Sequence, residues 1–152
     1  MNETIAGTPA AAVVLPVMLA DGEEQANILA KLLKQHIDAI VAADANKATV
    51  ALKIRGKLGL HSTEPEAEVT LVFDGAGVVV KNGLDAELDG KITGPLKLQT
   101  ETLVGVANPY REMLRRKLTV GMKWSRPLFT LTTYAFLKVP ASLRPAGGQA
   151  NQ

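Results

Sequence analysis

The 152-residue chain has no cysteine and only two histidines, His36 and His61. Without thiols, disulfide scaffolds, thiol catalysis and thiolate metal sites are excluded, and two imidazoles are too few for a histidine-built metal centre. Aromatic residues are scarce at 4%, too few to form a platform on which nucleobases stack. Serine occurs only at Ser62, Ser125 and Ser142, and no GxSxG elbow, Walker loop, GxGxxG or HExxH pattern is present. The apolar run at 9–20 is too short to span a bilayer, and Pro16 interrupts it. Glu3 precedes that run and no Lys or Arg comes before Lys31, so the basic start of a secretory signal is missing. The expected location is the cytoplasm, at most peripheral to a membrane. No metal or cofactor is expected.

What is present is enough for one domain with a sizeable core: 47% hydrophobic and 21% charged residues. A net charge of +2 conceals a strong split. Residues 1–90 carry seven Lys/Arg against thirteen Asp/Glu, whereas residues 91–152 carry ten against two. Cations concentrate at Arg111, Arg115, Arg116, Lys117, Lys123 and Arg126. Such a cluster suits phosphate groups, although cations also collect at helix C-termini, where the macrodipole favours them.

Periodicity divides the chain. Residues 1–20 read as an N-terminal arm, 21–138 as the domain and 139–152 as a disordered tail. Asp21 and Glu24 stand at capping-box spacing before a helix whose apolar positions are Ile28, Leu29, Leu32, Leu33, Ile37, Ile40 and Val41. His36, near the edge of that stripe, reads as a partly buried structural residue. Val50, Leu52 and Ile54 alternate as a half-buried strand does, and the glycines and proline of 55–65 suggest a hairpin connection. Val69, Leu71 and Phe73 predict a second strand, Val78–Val80 a third before the Asn82-Gly83 turn, and 86–93 a fourth. A short helix over 96–103 ends at Gly105, and Pro109 opens another. Leu118 and Val120 predict a fifth strand reaching toward Trp124, and Ser125 is expected to cap a last helix running to about Leu137. The class is α+β.

No acid–base pair stands out. Glu64, Glu66 and Glu68 alternate along a strand, as do Asp85, Glu87 and Asp89, and both sets read as solvated faces. The last helix is more informative. Leu128, Phe129, Leu131, Thr132, Tyr134, Ala135, Phe136 and Leu137 leave almost no polar face, so it should be buried on more than one side. A helix of that kind serves as a core clamp, as the wall of an apolar cavity, or as a docking stripe.

Residues 89–120 then resemble the lipid-binding domain of the sterol carrier protein type-2 family. The resemblance rests on Asp89 with Ile92-Thr93-Gly94, on Gly105-Val106-Ala107-Asn108-Pro109, and on Lys117-Leu118-Thr119-Val120, in the family's order and spacing. It extends over about residues 25–138. Two positions depart: Arg116 stands where the family usually has glycine, and Met122 stands at a second glycine position, with Gly121 displaced by one. The Leu15-Pro16-Val17 arm is also similar to lipid-carrier accessory proteins of bacterial ubiquinone biosynthesis. The resemblance implies a five-stranded mixed, mainly antiparallel sheet with helices on one face enclosing a hydrophobic tunnel. It implies reversible, non-enzymatic binding of sterols, fatty acyl chains, phospholipids or quinone-like lipids.

The residues expected to line the lipid site are Leu103, Val104, Met113, Leu114, Trp124, Leu128, Phe129, Leu131 and Tyr134, with Tyr134 as the polar handle. Arg115, Arg116, Lys117, Lys123 and Arg126 are expected to meet an anionic membrane surface. The alternative is an accessory docking or oligomerisation module whose last helix binds a protein partner such as an enzyme. A small enzyme using Tyr134 or Asp89 as acid or base ranks behind both, and nucleic acid is not an expected partner.

Overall fold

The computed structural model describes residues 14–140. Residues 1–13 of the expected arm and 141–152 of the expected tail lie outside the described residues. In chain order the elements are β1 (Val17–Leu19), α1 (Gly22–Gln25), α2 (Ile28–Ala43), α3 (Ala45–Leu52), β2 (Arg55–Thr63), β3 (Glu66–Asp74), β4 (Val78–Asn82), β5 (Gly90–Gly94), α4 (Leu96–Leu103), α5 (Pro109–Leu114), β6 (Thr119–Met122) and α6 (Pro127–Leu137). The strands form one open sheet in the order β1-β4-β3-β2-β5-β6. The β1–β4 and β2–β5 pairs are parallel; the other three are antiparallel. The fold is α+β with a mixed sheet.

That sheet has six strands where five were expected. The additional one comes from the apolar arm: Val17 pairs with Val78 and Leu19 with Val80, adding a short parallel edge. Gly77 makes room for the approach, since a Cβ there would lie 2.6 Å from the Pro16 carbonyl oxygen.

Asp21 stands before only the single turn α1 and makes no side-chain cap bond there; the long helix with the apolar stripe is α2, which starts at Ile28. Asn27 caps α2, its side chain accepting from Ala30 N, while Asp21 instead accepts from Asn82 N. Asn82 also bonds Gln25 and Asn27, so the turn at Gly83 (φ +80°) is tied to the helix entry.

A larger correction concerns residues 45–65. The segment 45–52 is helical, not extended. Asp44 accepts from Asn46 N to start α3, and the segment's alanines favour a helix. Ala48 and Ala51, three apart, face the core, so the two-residue alternation of Val50, Leu52 and Ile54 does not mark a strand. Residues 55–63, in turn, form the long strand β2 and not a connection; the turn is only Glu64-Pro65. The glycines there serve close approach. A Cβ on Gly56 would lie 2.6 Å from the Phe129 ring, and one on Gly59 2.6 Å from Leu88.

Two smaller differences complete the comparison. The strand expected over 86–93 is confined to Gly90–Gly94, because Asp85–Asp89 cross the sheet's other face to reach it. Ser125 does not cap α6: Arg126 occupies the N-cap position without a side-chain bond.

The core lies between one face of the sheet and helices α2, α3 and α6. Leu58, Leu60, Val69, Leu71, Phe73, Val78 and Val80 supply the sheet side; Leu29, Leu33, Ile37, Ile40 and Phe136 supply the helix side. Phe73 is the hinge of this packing, meeting Phe136 and Phe129 edge-on at centroid distances of 5.8 and 6.4 Å. Such pairs add roughly 0.5–1.5 kcal/mol each beyond area burial.

One backbone feature bears on the family resemblance. Arg116, at the position where glycine is usual, has φ +61°, and no other described residue apart from glycine has positive φ. The bend is the one glycine favours, with an arginine making it.

Candidate functional site

A cavity of about 440 Å³ opens between α2, the β2–β5–β6 end of the sheet, the α4–α5 segment and α6. Its size falls in the usual range for small-molecule sites, roughly 300–1,000 Å³. Leu29, Leu32, Leu33 and His36 line it from α2, Leu60, Ile92, Val120 and Met122 from the sheet, and Leu131, Tyr134 and Leu137 from α6. Leu103, Val104, Pro109, Tyr110 and Met113 close the remaining side. The walls are mainly apolar.

Apart from Gln35 on the exposed side of α2, the polar side chains in these walls are turned to the backbone. Gln99, buried on α4, donates through Nε2 to the carbonyls of His61 and Gly94, both at 2.9 Å, and so fastens α4 to the sheet. Thr102 Oγ1 donates to Gln99 O at 2.8 Å, and the Tyr134 hydroxyl donates to Thr102 O at 2.8 Å, which joins α6 to α4. His36 Nε2 donates to Leu137 O at 2.6 Å, and Lys47 donates to the Ala135 and Lys138 carbonyls. Together they satisfy the C-terminal end of α6, where helix carbonyls otherwise lack partners. No buried side-chain N or O lacks a partner among the described residues.

Burial holds the His36 imidazole below its ordinary 6.5, the Leu137 carbonyl opposes this, and Lys47 adds to the lowering. With the folded value depressed, the unfolded chain binds the proton more readily, so His36 withdraws stability as pH falls below about 6.5. Asp74 and Asp85 are also lowered, the first mainly by the Ala76 N–H and the second by Lys81, but they act below 3.8. Unfolding free energy is therefore expected to decline between pH 7 and 5, with a shallower slope in His36→Gln. Parallel urea-denaturation curves across that range check this; equal slopes would remove His36 from the account.

Of the nine residues expected to line a lipid site, Leu103, Val104, Met113, Leu131 and Tyr134 line the cavity. Phe129 instead belongs to the core beside Phe73. Leu114, Trp124 and Leu128 point outward, at 85%, 96% and 67% exposure. Tyr134 does have a hydroxyl partner, the Thr102 carbonyl. Sequence reasoning missed the contribution of α2, although its Leu29-Leu32-Leu33-His36 stripe was visible, and that of buried Gln99 and Thr102.

The expected membrane-facing cations are exposed around the segment from α5 to α6. Arg115 lies 3.8 Å from Glu112, while Arg126 and Lys123 reach Asp89 at 3.3 and 4.0 Å. Asp89 is outside the cavity; its carboxylate accepts from Lys57 N at 2.9 Å and ties β2 to the start of α6. On the opposite end of the β2–β3 hairpin, His61 Nε2 meets Glu66 at 2.5 Å with Glu68 nearby, and none of the three lines the cavity. No helix of the described residues is long and apolar enough to cross a membrane.

An open mixed sheet with a helix-covered, apolar cavity places this chain among the α+β domains that could enclose a small apolar molecule. The fold is, more particularly, that of sterol carrier protein 2 domains. The chain superposes on a ubiquinone synthesis protein described as UbiJ-SCP2 with a TM-score of 0.55, at 13% identity over 72% of this chain and 92% of that one. It superposes on the sterol carrier protein domain 2 of Helicoverpa armigera with a TM-score of 0.53, at 17% identity over 73% and 90%. A third similar structure, the sec-alkylsulfatase Pisa1 from Pseudomonas sp., gives 0.50 at 8% identity, and only 14% of that chain is covered. No family model matches the chain, and the search of curated proteins gives no match.

Proposed function

We propose that this protein is a non-enzymatic carrier that binds apolar lipids in the cavity and transfers or presents them. The observation that carries the reading is the cavity itself: about 440 Å³, mainly apolar walls, and buried or half-buried polar groups already bonded to the backbone. Binding in such a site comes from burying ligand surface, at about 25 cal/mol per Å². The likeness to a ubiquinone synthesis protein and to a sterol carrier domain supports a lipid, with quinone-like and sterol molecules among the ligands to try. A hydrophobic tunnel is the form the cavity takes around a bound chain. The setting that goes with this reading is the cytoplasm, at a membrane surface. There Arg115, Arg116, Lys117, Lys123 and Arg126 meet anionic head groups, with exposed Leu114, Trp124 and Leu128 beside them in sequence.

Native mass spectrometry of protein purified from cells, followed by organic extraction, is expected to reveal a bound lipid. Val104→Trp should lower that occupancy about tenfold, because excluding roughly 55 Å² of ligand surface costs about 1.4 kcal/mol. In a vesicle assay, Arg115→Glu with Arg116→Glu should slow transfer from anionic vesicles and leave binding unchanged. A lipid-free mass that persists after incubation with sterols, fatty acids, phospholipids and quinones would defeat the carrier reading. The second reading, a docking module acting through α6 on a partner such as an enzyme, draws on the exposure of Leu128 and Leu131. It requires self-association or partner binding without lipid.

A further inference from the structure

We infer that the cavity selects uncharged lipids and excludes ionised head groups, an inference that rests on the carrier reading above. An anion leaving water needs a cation or several N–H and O–H donors to replace its hydration. None of the described residues lining the cavity is Lys, Arg, Asp or Glu. The donors that are buried or half-buried there already point elsewhere. His36 Nε2 donates to Leu137 O, Gln99 Nε2 to the His61 and Gly94 carbonyls, Thr102 Oγ1 to Gln99 O, and Tyr134 to Thr102 O.

The neighbouring cation offers no substitute. Lys47 is close enough to act on His36, but its ammonium bonds the Ala135 and Lys138 carbonyls at the end of α6. His36 is the one imidazole in the lining, and burial favours its uncharged form. A carboxylate or phosphate must therefore stay at the mouth, among Leu32, Gln35, Tyr110, Met113 and Leu131, and its chain loses depth in the cavity. A hydroxyl suffers no such penalty. It carries no charge, so its entry costs only the far smaller desolvation of a neutral polar group.

The test compares hexadecanol, methyl palmitate and palmitate at pH 8.5, each displacing an uncharged fluorescent sterol from the whole protein. Hexadecanol and the ester are expected to bind at least tenfold more tightly than palmitate. A Val104→Lys variant, which introduces a cation into the wall, is expected to reverse the order in favour of palmitate. Palmitate binding to the wild type as tightly as hexadecanol overturns the selectivity and leaves the carrier reading intact. If no probe binds, including the sterol, the carrier reading fails and the selectivity fails with it. The wild-type comparison decides the matter even if the lysine variant does not fold.

Discussion

Phe136→Ala should lower the unfolding free energy by about 3–5 kcal/mol, a large part of the roughly 5–15 kcal/mol that holds a domain together. Phe136 is 1% exposed, the edge of its ring contact with Phe73 is nearly perpendicular at 88°, and the two rings join α6 to β3. Deleting the ring removes that contact and leaves a hole that the helix and strand cannot both close. Urea denaturation followed by circular dichroism measures the change. A loss under about 1 kcal/mol would mean that α6 does not pack on the sheet through this residue.

Gly56→Ala is the second large effect, at about 2–5 kcal/mol from backbone strain and overpacking combined. Gly56 has φ +149° and pairs across the ladder with Phe73. An added Cβ would sit 2.6 Å from the Phe129 ring, 2.6 Å from the Arg126 guanidinium and 2.8 Å from the Asp89 carboxylate. The arginine can swing away; the ring, held in the core, cannot. Gly121→Ala is the natural control, because nothing lies closer than 3.9 Å to the new methyl. Similar midpoints for both variants would refute the close packing around Gly56.

The same two sites explain what was readable in the sequence. Helix α2, strands β3 and β4, the Asn82-Gly83 turn and the Pro109 helix follow from periodicity and end signals that act locally. Strand β2 was obscured because its glycines look like turn residues until Phe129 and Leu88 are known to lie above them. Helix α3 was obscured because, in eight residues, Val50 and Leu52 mimic alternation while the helix-forming alanines decide the outcome. Strand β1 is invisible locally, since only β4 gives its three residues a partner.

The cavity was readable where an element has one apolar side and unreadable where it has several. In α6 hydropathy points the wrong way: Leu128 is exposed, whereas Thr130 and Thr133 are buried. The Thr133 hydroxyl donates to the Phe129 and Thr130 carbonyls of its own helix, so burial leaves it satisfied. Once threonine can be buried in this way, apolar residues elsewhere on the helix are free to face outward. Leu128 faces outward for that reason and Phe129 turns into the core beside Phe73, whereas Leu131 and Tyr134 line the cavity. Leu114 is the last residue of α5 and Trp124 lies two residues past β6, where periodicity no longer dictates direction.

The bend at Arg116 has an implication for selection. A left-handed residue with a side chain carries a penalty of roughly 1–2 kcal/mol that glycine avoids, so the chain places a guanidinium where folding alone favours glycine. Stability and surface charge are opposed at this one position. If the cation serves at an anionic surface, a glycine there would yield a sturdier protein that does its work less well.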